Sequence, residues 1–79
     1  MHTLAKPLTS AQLGHLIHVI MAADDTLTDH ATSSTMSVRR GDVTVLRAVT
    51  GNGGRKWVVM ASTNLVRQHH LAIWSSIPI

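Results

Sequence analysis

Apolar residues first recur at helical spacing: Leu13, Leu16, Ile17, Ile20 and Met21 share one arc of about 140° at 100° per residue, the buried stripe of an amphipathic helix. The start of that helix is marked just upstream. Thr9 and Gln12 stand in the S/T-x-x-E/Q register of a capping box, and Leu8 and Leu13 occupy the two positions of a hydrophobic staple. The spacing predicts a helix from Ser10 to about Ala23. Residues 24–34 are rich in Asp, Thr and Ser with Leu27 as their one large apolar residue, so they read as a loop. Residues 1–7 read as an N-terminal arm.

From Thr35 the period shortens. Three runs rich in β-branched residues, 35–40, 43–50 and 55–62, are separated by Gly41-Asp42 and by the glycine-rich stretch 51–54, which predicts three antiparallel strands. Asn52-Gly53 suits a type I′ hairpin turn, where both central residues need positive φ. Such a turn sets Ala48 opposite Trp57 and Leu46 opposite Val59 on one face. Val45 then pairs with Met60, and Arg47 with Val58, on the other.

The last segment reads as a helix over 65–75 capped by Asn64, with Leu65, Val66, His69, Ala72 and Ile73 on one side and Leu71 and Trp74 on the other. A short strand over 71–74 is the alternative, and Pro78 stops either element. The whole chain, 1–79, is thus expected to be a single small α+β domain. Its expected form is two layers in the order α-β-β-β-α, with a three-stranded antiparallel sheet packed on the N-terminal helix. If both helices lie on one side, the opposite sheet face stays open. It would carry either Val45, Val49, Val58 and Met60, or Leu46, Trp57 and Val59, and would serve as an association site.

Composition sharpens this expectation. The chain has 79 residues, 44% of them hydrophobic and 14% charged, with no Cys, Tyr or Phe, which is far from the signature of a disordered chain. Burial of about 60% of the unfolded surface gives a hydrophobic gain near 120 kcal/mol, against an ordering cost of about 1.5 kcal/mol per residue that nearly cancels it. Domains in that position recruit disulfides, a metal or a second copy of themselves, and the absence of cysteine removes disulfides and thiolate zinc sites. A homodimer is therefore expected. The longest apolar stretch, 16–23, contains His18 and is too short to span a bilayer. No secretory leader pattern opens the chain, so no membrane partner and a cytoplasmic location are expected.

Charge is uneven. Seven Lys and Arg against four Asp and Glu give a net charge of +3, and residues 38–67 hold Arg39, Arg40, Arg47, Arg55, Lys56 and Arg67 against Asp42 alone. This basic half is the candidate partner-binding surface, with Arg39, Arg40, Arg47, Arg55 and Lys56 as its cations and Trp74 as an aromatic anchor. The element order is shared with double-stranded RNA-binding domains. However, the basic cluster that opens that family's second helix corresponds here to residues 64–67, with Arg67 as its one cation. Readers of single-stranded RNA need two or three stacking aromatics, and this sheet offers Trp57, which reads as core.

Other constellations are weaker. His15 and His18 lie on the side of the first helix opposite its apolar arc, and the adjacent His69 and His70 point in different directions. They read as surface or interface histidines, with a His-built metal site as a third possibility behind protein and nucleic-acid binding. Ala11, His15, His18 and Ala22 form an uncharged stripe that would suit helix pairing in a self-associated form. Asp24, Asp25, Asp29 and His30 lack a calcium-loop register and read as a solvated loop. No nucleophile elbow or phosphate loop is present, so no enzymatic activity and no cofactor are expected. The expected function is a non-enzymatic interaction protein, a regulator or inhibitor that docks a basic or uncovered face on a protein or protein–nucleic-acid complex. Phage-encoded inhibitors of host defence, anti-CRISPR proteins among them, are of this kind; the comparison is one of size and composition. The alternative is a nucleic-acid-binding module using the same basic half.

Overall fold

A computed structural model describes residues 2–4, 6–51 and 55–71. Its elements are β1 (His2–Thr3), β2 (Leu8–Thr9), α1 (Ser10–Ala23), β3 (Leu27–Ala31), β4 (Thr35–Arg40), β5 (Val43–Gly51), β6 (Lys56–Ala61) and α2 (Thr63–Gln68). The α+β class is as expected. The strand count is not: one antiparallel sheet runs in the order β1-β6-β5-β4-β3, with β2 also paired to β6.

α1 begins and ends where its pattern predicts. The Thr9 hydroxyl accepts from the Gln12 N–H, and the Gln12 side-chain oxygen accepts from the Thr9 N–H at 2.8 Å, closing the capping box. Leu8 and Leu13 are both buried, as a staple requires. The apolar arc of α1, Leu13, Leu16, Ile17 and Ile20, merges with Val38, Leu46, Ala48, Trp57, Val59 and Ala61 into one core. Alternation along β6 shows this directly, since Trp57, Val59 and Ala61 are buried while Lys56 and Val58 are exposed.

Four expectations need correction. Residues 24–34 are not all loop, because 27–31 form β3 against β4; among its residues Thr28, Asp29, His30 and Ala31 are exposed. Part of the N-terminal arm is also strand, with His2 opposite Ala61 and Thr3 opposite Met60.

The β5–β6 hairpin is shifted by two residues from the predicted register: Ala48 pairs with Val59, Leu46 with Ala61, Arg47 with Met60 and Trp57 with Thr50. The last pair, Gly51 with Lys56, leaves four residues between the strands, where the predicted turn left two. Residues 52–54, where Asn52-Gly53 was placed, lie outside the described residues. A buried indole needs an acceptor for its N–H. In the observed register Trp57 Nε1 donates to Ser10 Oγ at 3.1 Å. The predicted register would have set it opposite Ala48, within the apolar interior. Because the shift is even, the side chains from Leu46 to Val49 and from Trp57 to Met60 keep their predicted faces.

α2 starts two residues earlier than expected, with Ser62 rather than Asn64 as its cap, the Ser62 hydroxyl accepting from the Leu65 N–H. It ends at Gln68, followed by His70 at φ 52°, a left-handed conformation that breaks a helix. That break returns Leu71 to the core, where it is fully buried beside Leu65, instead of on the opposite side. The alternative strand over 71–74 and the predicted helix beyond 71 extend outside the described residues.

Candidate functional site: the outer face of the sheet

Strands that alternate have two faces, and α1 takes one. The register of the ladders places Thr28 and His30 of β3, Thr35, Ser37 and Arg39 of β4, Arg47 and Val49 of β5, and Lys56, Val58 and Met60 of β6 on the other. One row across the sheet reads Thr3, Met60, Arg47, Ser37, His30, and the next reads Val58, Val49, Thr35. Val58 is 37% exposed, and Val49 and Met60 are half-buried. This is the first of the two open faces anticipated, with one change: Val45 is buried.

The change has a local cause. Between Val38 and Arg39 the β4–β5 register slips, so that Val38 opposes Leu46 while Arg39 opposes Thr44, leaving Val45 as the extra residue of a bulge. Val45 and Leu46 are consequently both buried. The Val45 carbonyl accepts from the Ser62 N–H at 2.9 Å, tying the bulge to the start of α2.

The predicted cations separate into three groups. Arg39, Arg47 and Lys56 are exposed on the outer face, Arg39 and Arg47 as diagonal neighbours about 7–8 Å apart. Lys56 stands at the far end of that face, opposite Gly51. Among the described residues that register onto this face there is no carboxylate.

Arg40 follows Arg39 and therefore faces the other way; its guanidinium donates to Asp24 Oδ2 at 2.6 Å. Arg55 is exposed in the turn before β6, and Trp74 lies outside the described residues. Sequence reasoning missed Thr28 and His30, which it assigned to a loop, and the hydroxyls of Thr35 and Ser37.

Trp57 points into the core, so the described outer face presents no Phe, Tyr or Trp ring for a base to stack on, and His30 is its one imidazole. Ala11, His15, His18 and Ala22 are all exposed along the back of α1, away from the sheet. His69 is half-buried and His70 exposed, and among the described residues no three His or acidic side chains are grouped to hold a metal ion. No helix among them is long and apolar enough to cross a membrane.

No protein-family model matches the chain, no curated protein matches it significantly, and no solved structure does.

Proposed function

We propose that this chain is a non-enzymatic interaction protein, a regulator or inhibitor, that docks the outer face of its sheet on an acidic patch of a protein partner. The observation that carries the reading is the make-up of that face. Val49, Val58 and Met60 form an apolar centre, Arg39, Arg47 and Lys56 stand around it, and no described carboxylate interrupts it. An apolar centre with charged surroundings is the anatomy of a protein–protein interface. The unopposed cations favour acidic partners in the encounter. A nucleic-acid reader would use the same cations but would need two or three stacking rings, where this face has the His30 imidazole and valines.

Three proteins separate these readings in a pull-down from a lysate of the native host: wild type, Val58→Asp with Arg47→Glu, and Ala22→Glu on the back of α1. The expected result is an acidic protein retained by wild type and by Ala22→Glu and lost by the double variant. Retention by the double variant would falsify the docking face. In a mobility-shift titration, tight binding of generic duplex or single-stranded nucleic acid, with a steep loss between low and moderate salt, would give the basic face to phosphates instead.

A further inference from the structure

The two margins of the sheet are unlike. One is divided between β1 and β2, two residues each, with Pro7 between them, an arrangement that offers little backbone for another strand to pair with. The other margin is β3, five continuous residues without proline, lysine or bulge.

The free groups of β3 follow from its inner side. The Thr32 N–H donates to the Thr35 carbonyl at 2.8 Å, so Thr32 turns its backbone groups toward β4. By the alternation of an antiparallel ladder, His30 and Thr28 do the same. The N–H and C=O groups of Asp29 and Ala31 therefore point away from the sheet, on the side where no described strand follows. α1 lies over the inner face of the sheet, packed on β2 and β6, and joins β3 end-on through residues 24–26.

We propose that a second copy of this chain pairs its β3 antiparallel to this one, about a two-fold axis through His30 perpendicular to the sheet. In that register Asp29 of each copy exchanges two hydrogen bonds with Ala31 of the other. Thr28 lies opposite Thr32, and the two His30 residues form the central pair without hydrogen bonds between their backbones. Centring the pair on Asp29 would set two carboxylates face to face, which disfavours that register. In the His30-centred register each Asp29 faces Ala31 and no like charges oppose, so a second copy offers this margin a strand of equal length without charge conflict.

A two-fold axis perpendicular to the sheet keeps both copies of α1 on one side and both outer faces on the other. One outer face spans roughly 20 Å by 20 Å, below the ~800 Å² that each side of a standard complex contributes. Two faces in one continuous sheet reach that size. The pairing goes beyond the docking reading and does not depend on it.

The chain contains no cysteine, so cross-linking reports the register cleanly. His30→Cys is expected to form a disulfide-linked dimer of twice 8.6 kDa on mild oxidation, because residues in a central pair without hydrogen bonds have Cα atoms about 4.5 Å apart. Thr28→Cys is expected to stay unlinked, since its copies lie about 13 Å apart along the strands. Ala31→Pro removes an outward N–H and spares the bonds to β4. By sedimentation it should shift a dimeric wild type to monomer with its circular dichroism retained, while Ala22→Glu stays dimeric.

The proposal fails if wild type sediments as a monomer at every concentration, if Thr28→Cys links as fast as His30→Cys, or if Ala22→Glu alone dissociates the dimer. Should Ala31→Pro fail to fold, the cysteine pair decides by itself. None of these failures bears on whether the outer face retains its partner.

Discussion

Asp24 stands just past the C-terminal end of α1, where the helix dipole opposes a negative charge. Three donors offset this. The Thr26 hydroxyl at 2.6 Å, the Arg40 guanidinium at 2.6 Å and the Thr26 N–H at 2.9 Å hold its carboxyl at about 2, down from the ordinary 3.8. A carboxyl depressed in the folded state contributes stability that is complete above about 3.8 and is lost as pH falls through about 2. Asp24→Asn should therefore melt below wild type at pH 7, with the difference closing as both are titrated toward pH 2 in thermal unfolding. A gap of constant size across that range would show that the carboxylate is not its source. The same contact explains why Arg40 differs from its neighbour Arg39: it holds the end of α1 to the end of β4, and so belongs to the fold.

At the scale of elements, the β3–β4 hairpin closes on Ser33 and Ser34, and among the described non-glycine residues positive φ occurs at His70 and not here. A two-residue loop without positive φ lacks the primed geometry that hairpins favour. Thr32 compensates through its side chain. Its hydroxyl oxygen accepts from the Thr35 N–H at 3.0 Å and the Ser34 N–H at 3.4 Å, and lies 2.7 Å from the Thr35 hydroxyl. Thr32→Val keeps the shape and removes the acceptor, at an expected cost of about 1 kcal/mol. The check is a lower urea midpoint at unchanged slope.

Elements were legible in the sequence where burial writes a period. α1 showed its arc and its cap, and β4 to β6 showed β-branched runs. β3 shows no such period, because among its residues only Leu27 reaches the core and β4 supplies the pairing. The hairpin register depended on the indole of Trp57 finding Ser10, a contact between residues 47 positions apart that no local turn signal contains. The outer face was half legible. Parity placed Arg47, Val58 and Met60 together, but Arg39 and Arg40 were grouped as a pair although a period of two sends them to opposite faces.

For the molecule as a whole, the accessible surface is 4,925 Å², close to the roughly 4,700 Å² that scaling gives for this mass. The interior is correspondingly small, and each large side chain in it carries a large share. Leu16 is fully buried between α1 and the sheet, and Leu16→Ala should cost about 2–5 kcal/mol. A domain this size has roughly 4–12 kcal/mol in total at 0.05–0.15 kcal/mol per residue. Leu16→Ala should thus melt about 8–40 °C lower by circular dichroism; a shift of about two or three degrees would mean the site collapses around the loss. Alternation along β5 and β6 has a longer-term consequence. Residues that keep the chain folded and residues that greet the outside world occupy opposite sides of the same backbone, so mutation can redecorate Arg47, Val49, Val58 and Met60 without reaching Leu46, Ala48, Val59 or Ala61. A lineage pursuing a changing target could exchange its grip many times over and inherit the same interior throughout.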